Sequence, residues 1–381
     1  MNKAWKKLIV MAKKETILSI AVLLAICSMF FVIPDRKYME YVDYRTLAIL
    51  FSLMVVVAGL QKQEIFDRLA ASIVGNISRL RALIMILIML CFFFSMIITN
   101  DVALITFVPL AITSLNMLDK RVAEKWLIPV VVMQTVAANL GSMLTPIGNP
   151  QNLYLYGLSG MSITGFVKLT CPYVILAAVI IMVWCFLNCG KKQNVRIDIK
   201  AESKNSSSDI RKIGMYLILF LFCVLTVARL IPYLVTLVIV VVVVLIFDRD
   251  ILKHVDYALL LTFAAFFIFI GNMGRVGAFA NMLEQVISGH EVITAVLASQ
   301  AISNVPAALL LSGFTPCVDS LVIGTNLGGL GTMIASMASL ISFKYIAREN
   351  RELKGKYFIY FTVVNVIVLA VMVGIHFFIL T

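Results

Sequence analysis

Apolar runs and short polar breaks alternate along the chain. The uninterrupted runs at 17–33, 44–60, 166–187, 215–230, 233–247, 257–272 and 358–380 are each near the length of a helix crossing a hydrocarbon core. Two stretches, 61–80 and 275–291, mix apolar with charged positions as a helix lying in an interface does.

Four places break the pattern inside apolar sequence. Runs 82–98 and 102–118 are separated only by Thr99-Asn100-Asp101, and runs 292–302 and 306–314 by Ser303-Asn304-Val305. Each of the first two runs is about 25 Å long as helix, slightly short for an independent span. A helical hairpin with a polar tip is expected at 82–118 and another at 292–314. The runs at 126–156 and 318–345 each contain a stretch unsuited to continuous helix, starting at Asn139 and at Gly324 and rich in Gly, Asn, Thr and Pro. Both are expected to be discontinuous helices unwound over those stretches.

The order of features repeats. Asp35-Arg36 and Val42-Asp43-Tyr44 recur 213 positions later (248 minus 35) as Asp248-Arg249 and Val255-Asp256-Tyr257. Asn100 corresponds to Asn304, and Asn139-Leu140-Gly141 to Asn326-Leu327-Gly328. One additional span, 215–230, separates the copies, so the second is upside down relative to the first. The reading is an all-α polytopic membrane protein of about nine spans, an inverted repeat with two re-entrant hairpins and two discontinuous helices. Residues 1–189 form the first repeat, 190–214 a cytoplasmic linker, and 215–381 the extra span and the second repeat.

Composition agrees with this picture. Of 381 residues 61% are hydrophobic and only 14% charged, with a mean hydropathy of +1.01, against roughly 45–50% and about 25% in soluble domains. The net charge of +12 is topological. Segments 3–14, 62–81, 120–125, 191–212, 249–253 and 344–356 hold 26 of the 32 Lys and Arg. Placed in the cytoplasm, they set the N-terminus inside and the C-terminus outside, with 17–33 an uncleaved first span, and remove any need for a nucleic-acid partner. Seven cysteines without C-x-x-C spacing or clustered His read as buried hydrophobes.

Polar residues at membrane depth face a cavity or each other, and inverted repeats with broken helices place transport sites near the midplane. The candidate substrate and ion site is therefore Thr99, Asn100, Asp101, Asn139, Ser142, Thr145, Gly148, Asn149, Ser303, Asn304, Thr325, Asn326, Gly328 and Thr332. Broken helix ends offer N–H groups to anions and C=O groups to cations. Asp101 is the single acid at the centre. It carries a proton, binds sodium, or caps the helix that follows. Arg275, next to Gly271, Gly274 and Gly277, either attracts an anion or, the commoner case, snorkels to the interface as Arg229 does, and His254, His290 and His376 receive no role.

The stretches Thr99-Asn100-Asp101-Val102-Ala103-Leu104-Ile105-Thr106-Phe107-Val108-Pro109, Thr145-Pro146-Ile147-Gly148-Asn149-Pro150-Gln151-Asn152, Ser303-Asn304-Val305-Pro306-Ala307 and Gly324 to Thr332 resemble the ion transporter superfamily. That group includes arsenite permeases, citrate transporters, D-type sodium/proton antiporters and sodium-coupled dicarboxylate carriers. The dicarboxylate carriers have Ser-Asn-Thr at both hairpin tips, whereas this chain has Thr-Asn-Asp and Ser-Asn-Val. The resemblance is therefore to the arsenite-permease and citrate-transporter branch. It implies a transport domain carrying both hairpins past a scaffold in an elevator motion, in a homodimer.

These features lead to a secondary transporter of the cytoplasmic membrane moving a small anion or oxyanion, such as a carboxylate or an arsenite-like species. Coupling is to H+ or Na+, with any Na+ at the hairpin tips, and no cofactor is expected. A sodium/proton antiporter is the alternative within transport. A channel would need a continuous pore. An enzyme would need a nucleophile with a base, or metal ligands, at depth.

Overall fold

A computed structural model describes residues 15–74, 77, 79–189 and 209–380. The basic segment 3–14 and most of the linker at 190–214 lie outside these residues. The described chain is helical, with no strand. Before the linker lie α1 (Thr16–Ser28), α2 (Tyr44–Lys62), α3 (Ile65–Val74), α4 (Leu80–Phe94), α5 (Asn100–Asn116), α6 (Lys120–Gly141), α7 (Pro150–Ser159) and α8 (Ile163–Asn188). After it come α9 (Ile210–Val227), α10 (Tyr233–Phe247), α11 (Tyr257–Gly274), α12 (Gly277–Ile287), α13 (Glu291–Ile302), α14 (Asn304–Ser312), α15 (Val318–Leu327), α16 (Met337–Glu349) and α17 (Leu353–Ile375).

Six helices among the described residues are long and apolar enough to cross a membrane: α2, α6 with its extension to Leu144, α8, α9, α11, and α17 with its extension to Ile379. The first run forms only the 13-residue α1 and the run at 233–247 the 15-residue α10. The two amphipathic stretches become the short helices α3 and α12.

Both polar-tipped pairs are hairpins. In the first, α4 and α5 join through 95–99 and both lie on α6. In the second, α13 and α14 join through Ser303 alone, and both lie on α15. Ser303 has φ 74° and ψ 154°, a region that side chains other than glycine's avoid.

Both breaks begin later than the sequence predicts, and the first is also shorter. The helix of α6 passes through Asn139 to Gly141 and continues as a 3-10 turn to Leu144, so only 145–149 is unwound. In the second repeat α15 runs through Gly324, Thr325 and Asn326, and the irregular stretch is 328–336. Glycine costs about 1 kcal/mol in a helix, but here it permits contact. A Cβ on Gly141 would stand 2.2 Å from the Phe92 carbonyl oxygen and 2.7 Å from Ser95 Oγ, and one on Gly328 would stand 2.6 Å from Ser299 Oγ. The same glycine lets each hairpin seat on its broken helix. Propensity is overridden by close packing between helices.

Ion pairs and caps identify two ends of the bundle. At one, Asp248 receives Lys62 (3.0 Å) and Lys212 (3.6 Å). At the other, Asp35 receives Arg275 (2.8 Å). The base of the first hairpin lies at the end where Arg81 bonds the Cys189 carbonyl. The base of the second lies where Ser312 meets Tyr154 (2.9 Å), near the C-terminus of α7. α8 runs from that C-terminus toward Cys189, so the two bases are at opposite ends.

Candidate functional site

Four helix N-termini meet between the repeats: α5 at Asn100, α7 at Pro150, α14 at Asn304 and α16 at Met337. Each hairpin tip is tied to its own break by an equivalent bond. Asn100 N–H donates to the Gly148 carbonyl (3.1 Å), and Asn304 N–H to the Ala335 carbonyl (2.9 Å). Positions 148 and 335 are 187 apart, as are Asn139 and Asn326 (326 minus 139), so the repeat extends across both breaks.

Two asparagines knit the centre. Asn139 Oδ1 accepts from Asn100 Nδ2 (3.0 Å) and Ser336 Oγ (3.1 Å), while its Nδ2 donates to the Gly329 carbonyl (3.2 Å). Asn326 Nδ2 donates to Asn152 Oδ1 (2.6 Å), and its Oδ1 accepts from Asn149 Nδ2 (3.5 Å). Asn149 Nδ2 also donates to Ser142 Oγ (2.5 Å), and Asn152 Nδ2 to the Ser142 and Thr145 carbonyls. These side chains are buried, and hydrogen bonding is what makes their burial tolerable.

The sequence-selected residues thus separate by environment. Asn100, Asn139, Ser142, Asn149 and Asn326 form the buried polar hub, and Gly328 contributes close approach and a carbonyl that accepts from Gln300 Nε2 (2.9 Å). Gly148 contributes the carbonyl that holds Asn100. Thr145 turns its hydroxyl to the Met96 carbonyl (2.5 Å), and Thr325 bonds within its own helix to Leu321 (2.7 Å). Thr332 is held by Gln300, through N–H to Oε1 (2.8 Å) and Oγ1 to the Gln300 carbonyl (3.2 Å).

A cavity of about 200 Å³ opens beside the hub. Thr99, Asp101 and Asn149 line it, with apolar residues of α2 and, toward the Lys62–Asp248 end, Gln61, His254 and Asp256. The N-termini of α5 and α7 border it. Asp101 Oδ1 is buried in its wall with no hydrogen-bond partner, and neither Lys nor Arg lines it. A smaller cavity of about 30 Å³ lies under the second tip, between Ser303, Val305, Thr262 and again Asp256. Asp256 Oδ1 accepts from Leu259 N–H (3.0 Å) at the start of α11.

Sequence reasoning missed Gln61, Asn152, Gln300, Ser336, His254 and Asp256. Asn152 stands in one of the quoted motifs and Asp256 in the repeated Val-Asp-Tyr, so both carried a signal. Ser336 was reachable by extending the 187-residue offset past Gly328 to the partner of Asn149. Gln61 and His254 are polar residues at helix ends, and only the folded arrangement sets them at the cavity.

Comparison with known proteins agrees with this architecture. Residues 7–319 match the model of the citrate transporter family. The inner membrane protein YbiR of Escherichia coli K12 is 31% identical over 329 residues, 85% of either chain. An uncharacterized transporter of Methanocaldococcus jannaschii, MJ0456, is 31% identical over 327 residues, 86% of this chain and 87% of its own. A Dictyostelium discoideum protein named "Putative transporter arsB" is 21% identical over 141 residues, 37% of this chain and 24% of its own. With its helices, its polar-tipped hairpins and this match over most of its length, the chain belongs to the citrate transporter family of membrane transporters.

Proposed function

We propose that the protein is a secondary active transporter of a small anion or oxyanion, a carboxylate or an arsenite-like species, coupled to H+ or Na+. One observation carries the reading: the cavity is bordered by two helix N-termini and holds the unpartnered carboxylate oxygen of Asp101. N-terminal N–H groups favour a bound anion, as the half-helices of transporters do. A buried carboxylate without a partner needs a cation, either a proton on its own oxygen or a sodium ion beside it. Thr99 and Asn149 supply neutral oxygens to the same space. Anion and cation then enter together and the net charge to be moved is reduced.

The rest follows from the repeat and the charge distribution. Basic segments set the Lys62–Asp248 end in the cytoplasm, so this cavity faces inward and the hairpins are re-entrant from opposite sides. Alternating access proceeds by an elevator movement of the hairpins and broken helices against a scaffold, in a homodimer of the cytoplasmic membrane. The protein performs no covalent chemistry.

Purified protein in liposomes, tested with carboxylates and inorganic oxyanions under an imposed pH or sodium gradient, should take up one of them only with a gradient. Asp101→Asn should abolish the gradient dependence. Absence of gradient-driven anion flux would end the anion reading. The acidic lining favours a second reading, a sodium/proton antiporter, whose signature is sodium-dependent pH change without any anion and its loss in Asp101→Asn.

A further inference from the structure

A second, larger cavity of about 510 Å³ opens at the Asp35–Arg275 end. Tyr41, Asp43, Arg45, Tyr154, Gly157, Phe267, Ile270 and Gly271 are in its lining. These residues are not an arbitrary set. Tyr41 and Asp43 are the repeat partners of His254 and Asp256 in the cytoplasmic cavity, at the offset of 213 (254 minus 41). Phe267, Ile270 and Gly271 are the partners of Met54, Val57 and Ala58 in that same cavity, at the same offset (267 minus 54). The middle helix of both cavities is α7, whose N-terminus borders one and whose C-terminal half borders the other. The walls that α2 and α11 give the two cavities are therefore related by the inverted repeat, one at each end, while α7 is common to both.

Their charges differ. The inner cavity holds Asp101 and Asp256 and no Lys or Arg. The outer one holds Arg45, whose repeat partner is Ala258. Arg45 is half-buried and makes no hydrogen bond or ion pair to a described residue. The other charged groups nearby are occupied. Asp43 accepts from Thr46 N–H (3.0 Å) and Thr46 Oγ1 (2.5 Å), and Arg275 at the rim is paired with Asp35 and donates to Tyr41 Oη (3.0 Å). Tyr154 Oη, on the wall, bonds Ser312 at the base of the second hairpin (2.9 Å), so the cavity abuts an element proposed to move.

We propose that this cavity is the extracytoplasmic binding vestibule of the transporter and that Arg45 recognises a small carboxylate or oxyanion there. The inference rests on the anion reading above for its physiological ligand, but not for its test. Gly157 is the reporter position, since a Cβ there meets only Thr46 Oγ1 at 3.5 Å. A Gly157→Cys protein in intact cells is labelled with two membrane-impermeant methanethiosulfonates, one sulfonate and one trimethylammonium. Rates are normalised to those with a free thiol, and the unmodified protein supplies the background of Cys27 and Cys317. The expected result is labelling from outside with a preference for the sulfonate on the order of tenfold, the scale of electrostatic focusing in a cleft. Adding Arg45→Gln should remove the preference and Arg45→Lys should keep it.

In liposome flux, Arg45→Gln should raise KM for anion presented at this face several-fold. Labelling only from the cytoplasm, or a sulfonate preference indifferent to Arg45, overturns the inference even where anion flux is robust. A preserved Arg45-dependent preference in a protein that carries no anion would instead remove the anion-transport reading and leave an anion-binding vestibule.

Discussion

Lys62 and Arg275 stand 213 positions apart (275 minus 62) and make the same contact at opposite ends of the molecule. Lys62 of the first repeat donates to Asp248 of the second across 3.0 Å, and Arg275 of the second donates to Asp35 of the first across 2.8 Å. Each repeat thus supplies the base at one end and the acid at the other. The two contacts nevertheless differ in environment. The Asp248 side chain is 5% exposed and also receives Lys212 and the Tyr216 hydroxyl (3.1 Å), whereas Asp35 and Arg275 are 37% and 38% exposed.

That difference predicts unequal costs. Exposed ion pairs contribute below about 1 kcal/mol, and breaking a buried one costs about 3–5 kcal/mol. With Lys62 partly solvated, Asp248→Ala should lower stability by about 2 kcal/mol, and Asp35→Ala by less than about 1 kcal/mol. Denaturation of the detergent-solubilised proteins measures both. Equal losses would remove the distinction.

Acid should reveal the same carboxylate. Burial resists ionisation of Asp248, but hydrogen bonds from Lys62 and Tyr216 and the charges of Lys62 and Lys212 outweigh it and hold its carboxyl below the ordinary range. A group with a depressed native pKa stabilises fully above its unfolded value, about 3.9 for Asp, and loses that contribution as pH falls through the native value. The unmodified protein should therefore lose stability relative to Asp248→Asn below about pH 4. Parallel acid titrations of the two melting temperatures would show the gap closing.

Asn139 and Asp101 predict opposite phenotypes although they lie near one another. Asn139→Ala leaves the Asn100 amide, the Gly329 carbonyl and the Ser336 hydroxyl without their partner. At about 1–3 kcal/mol per stranded buried group, partly relieved by rearrangement, the loss should be about 3 kcal/mol. Combined with Asn100→Ala it should be non-additive by about 1 kcal/mol. Asp101→Asn is nearly isosteric and removes no side-chain hydrogen bond made by Oδ1, so it should leave the melting temperature in place and alter transport. A melt that follows Asp101 as strongly as Asn139 would make Asp101 a structural residue.

The extent to which the sequence disclosed this centre depends on the kind of residue. Polar tips at Thr99-Asn100-Asp101 and Ser303-Asn304-Val305 stood out because each sets adjacent polar residues in the middle of a long apolar stretch, Asp101 being the one charged residue of 82–118, and both fold as hairpin tips. The repeat was visible in Val42-Asp43-Tyr44 and Val255-Asp256-Tyr257, which cap α2 and α11 in the same way. Helix ends were less legible. Asn139, Gly141 and Asn326 have the composition of a break, yet neighbouring helices supply their partners and they remain helical. Lys62 and Arg275 were invisible as a pair, because each meets its acid only after the two halves interlock.

Ser303 should mark a strained hairpin tip. Its φ of 74° with ψ of 154° places a side chain where glycine alone is comfortable, and its hydroxyl makes only long contacts of 3.4 and 3.5 Å. Ser303→Gly removes the side-chain penalty, a gain of about 1 kcal/mol after the flexibility that glycine adds to the unfolded chain. Ser303→Ala keeps the same backbone and should be close to neutral. Reversal of this order would mean that the hydroxyl, not the backbone, governs the tip.

Glycine at 141 should be the least replaceable residue of the hairpin seat. An alanine Cβ there would stand 2.2 Å from the Phe92 carbonyl oxygen, a backbone atom that cannot rotate away, so α4 and α6 would have to separate by more than 1 Å. Overpacking of this kind costs about 1–3 kcal/mol, with the upper end expected where backbone must move. Gly328→Ala meets the Ser299 hydroxyl and Cβ at 2.6 and 2.7 Å and the Gly324 carbonyl oxygen at 2.9 Å. Rotation of Ser299 moves its hydroxyl away but not its Cβ, and because the overlaps that remain are milder than the 2.2 Å at Gly141, the cost should be smaller. Gly274, at the end of α11, has nothing within 4 Å of a Cβ, and Gly274→Ala should be neutral or stabilising by up to about 1 kcal/mol. Denaturation of the three variants should rank them 141, 328, 274. A mild Gly141→Ala would show that the first hairpin is not seated against α6 at Phe92.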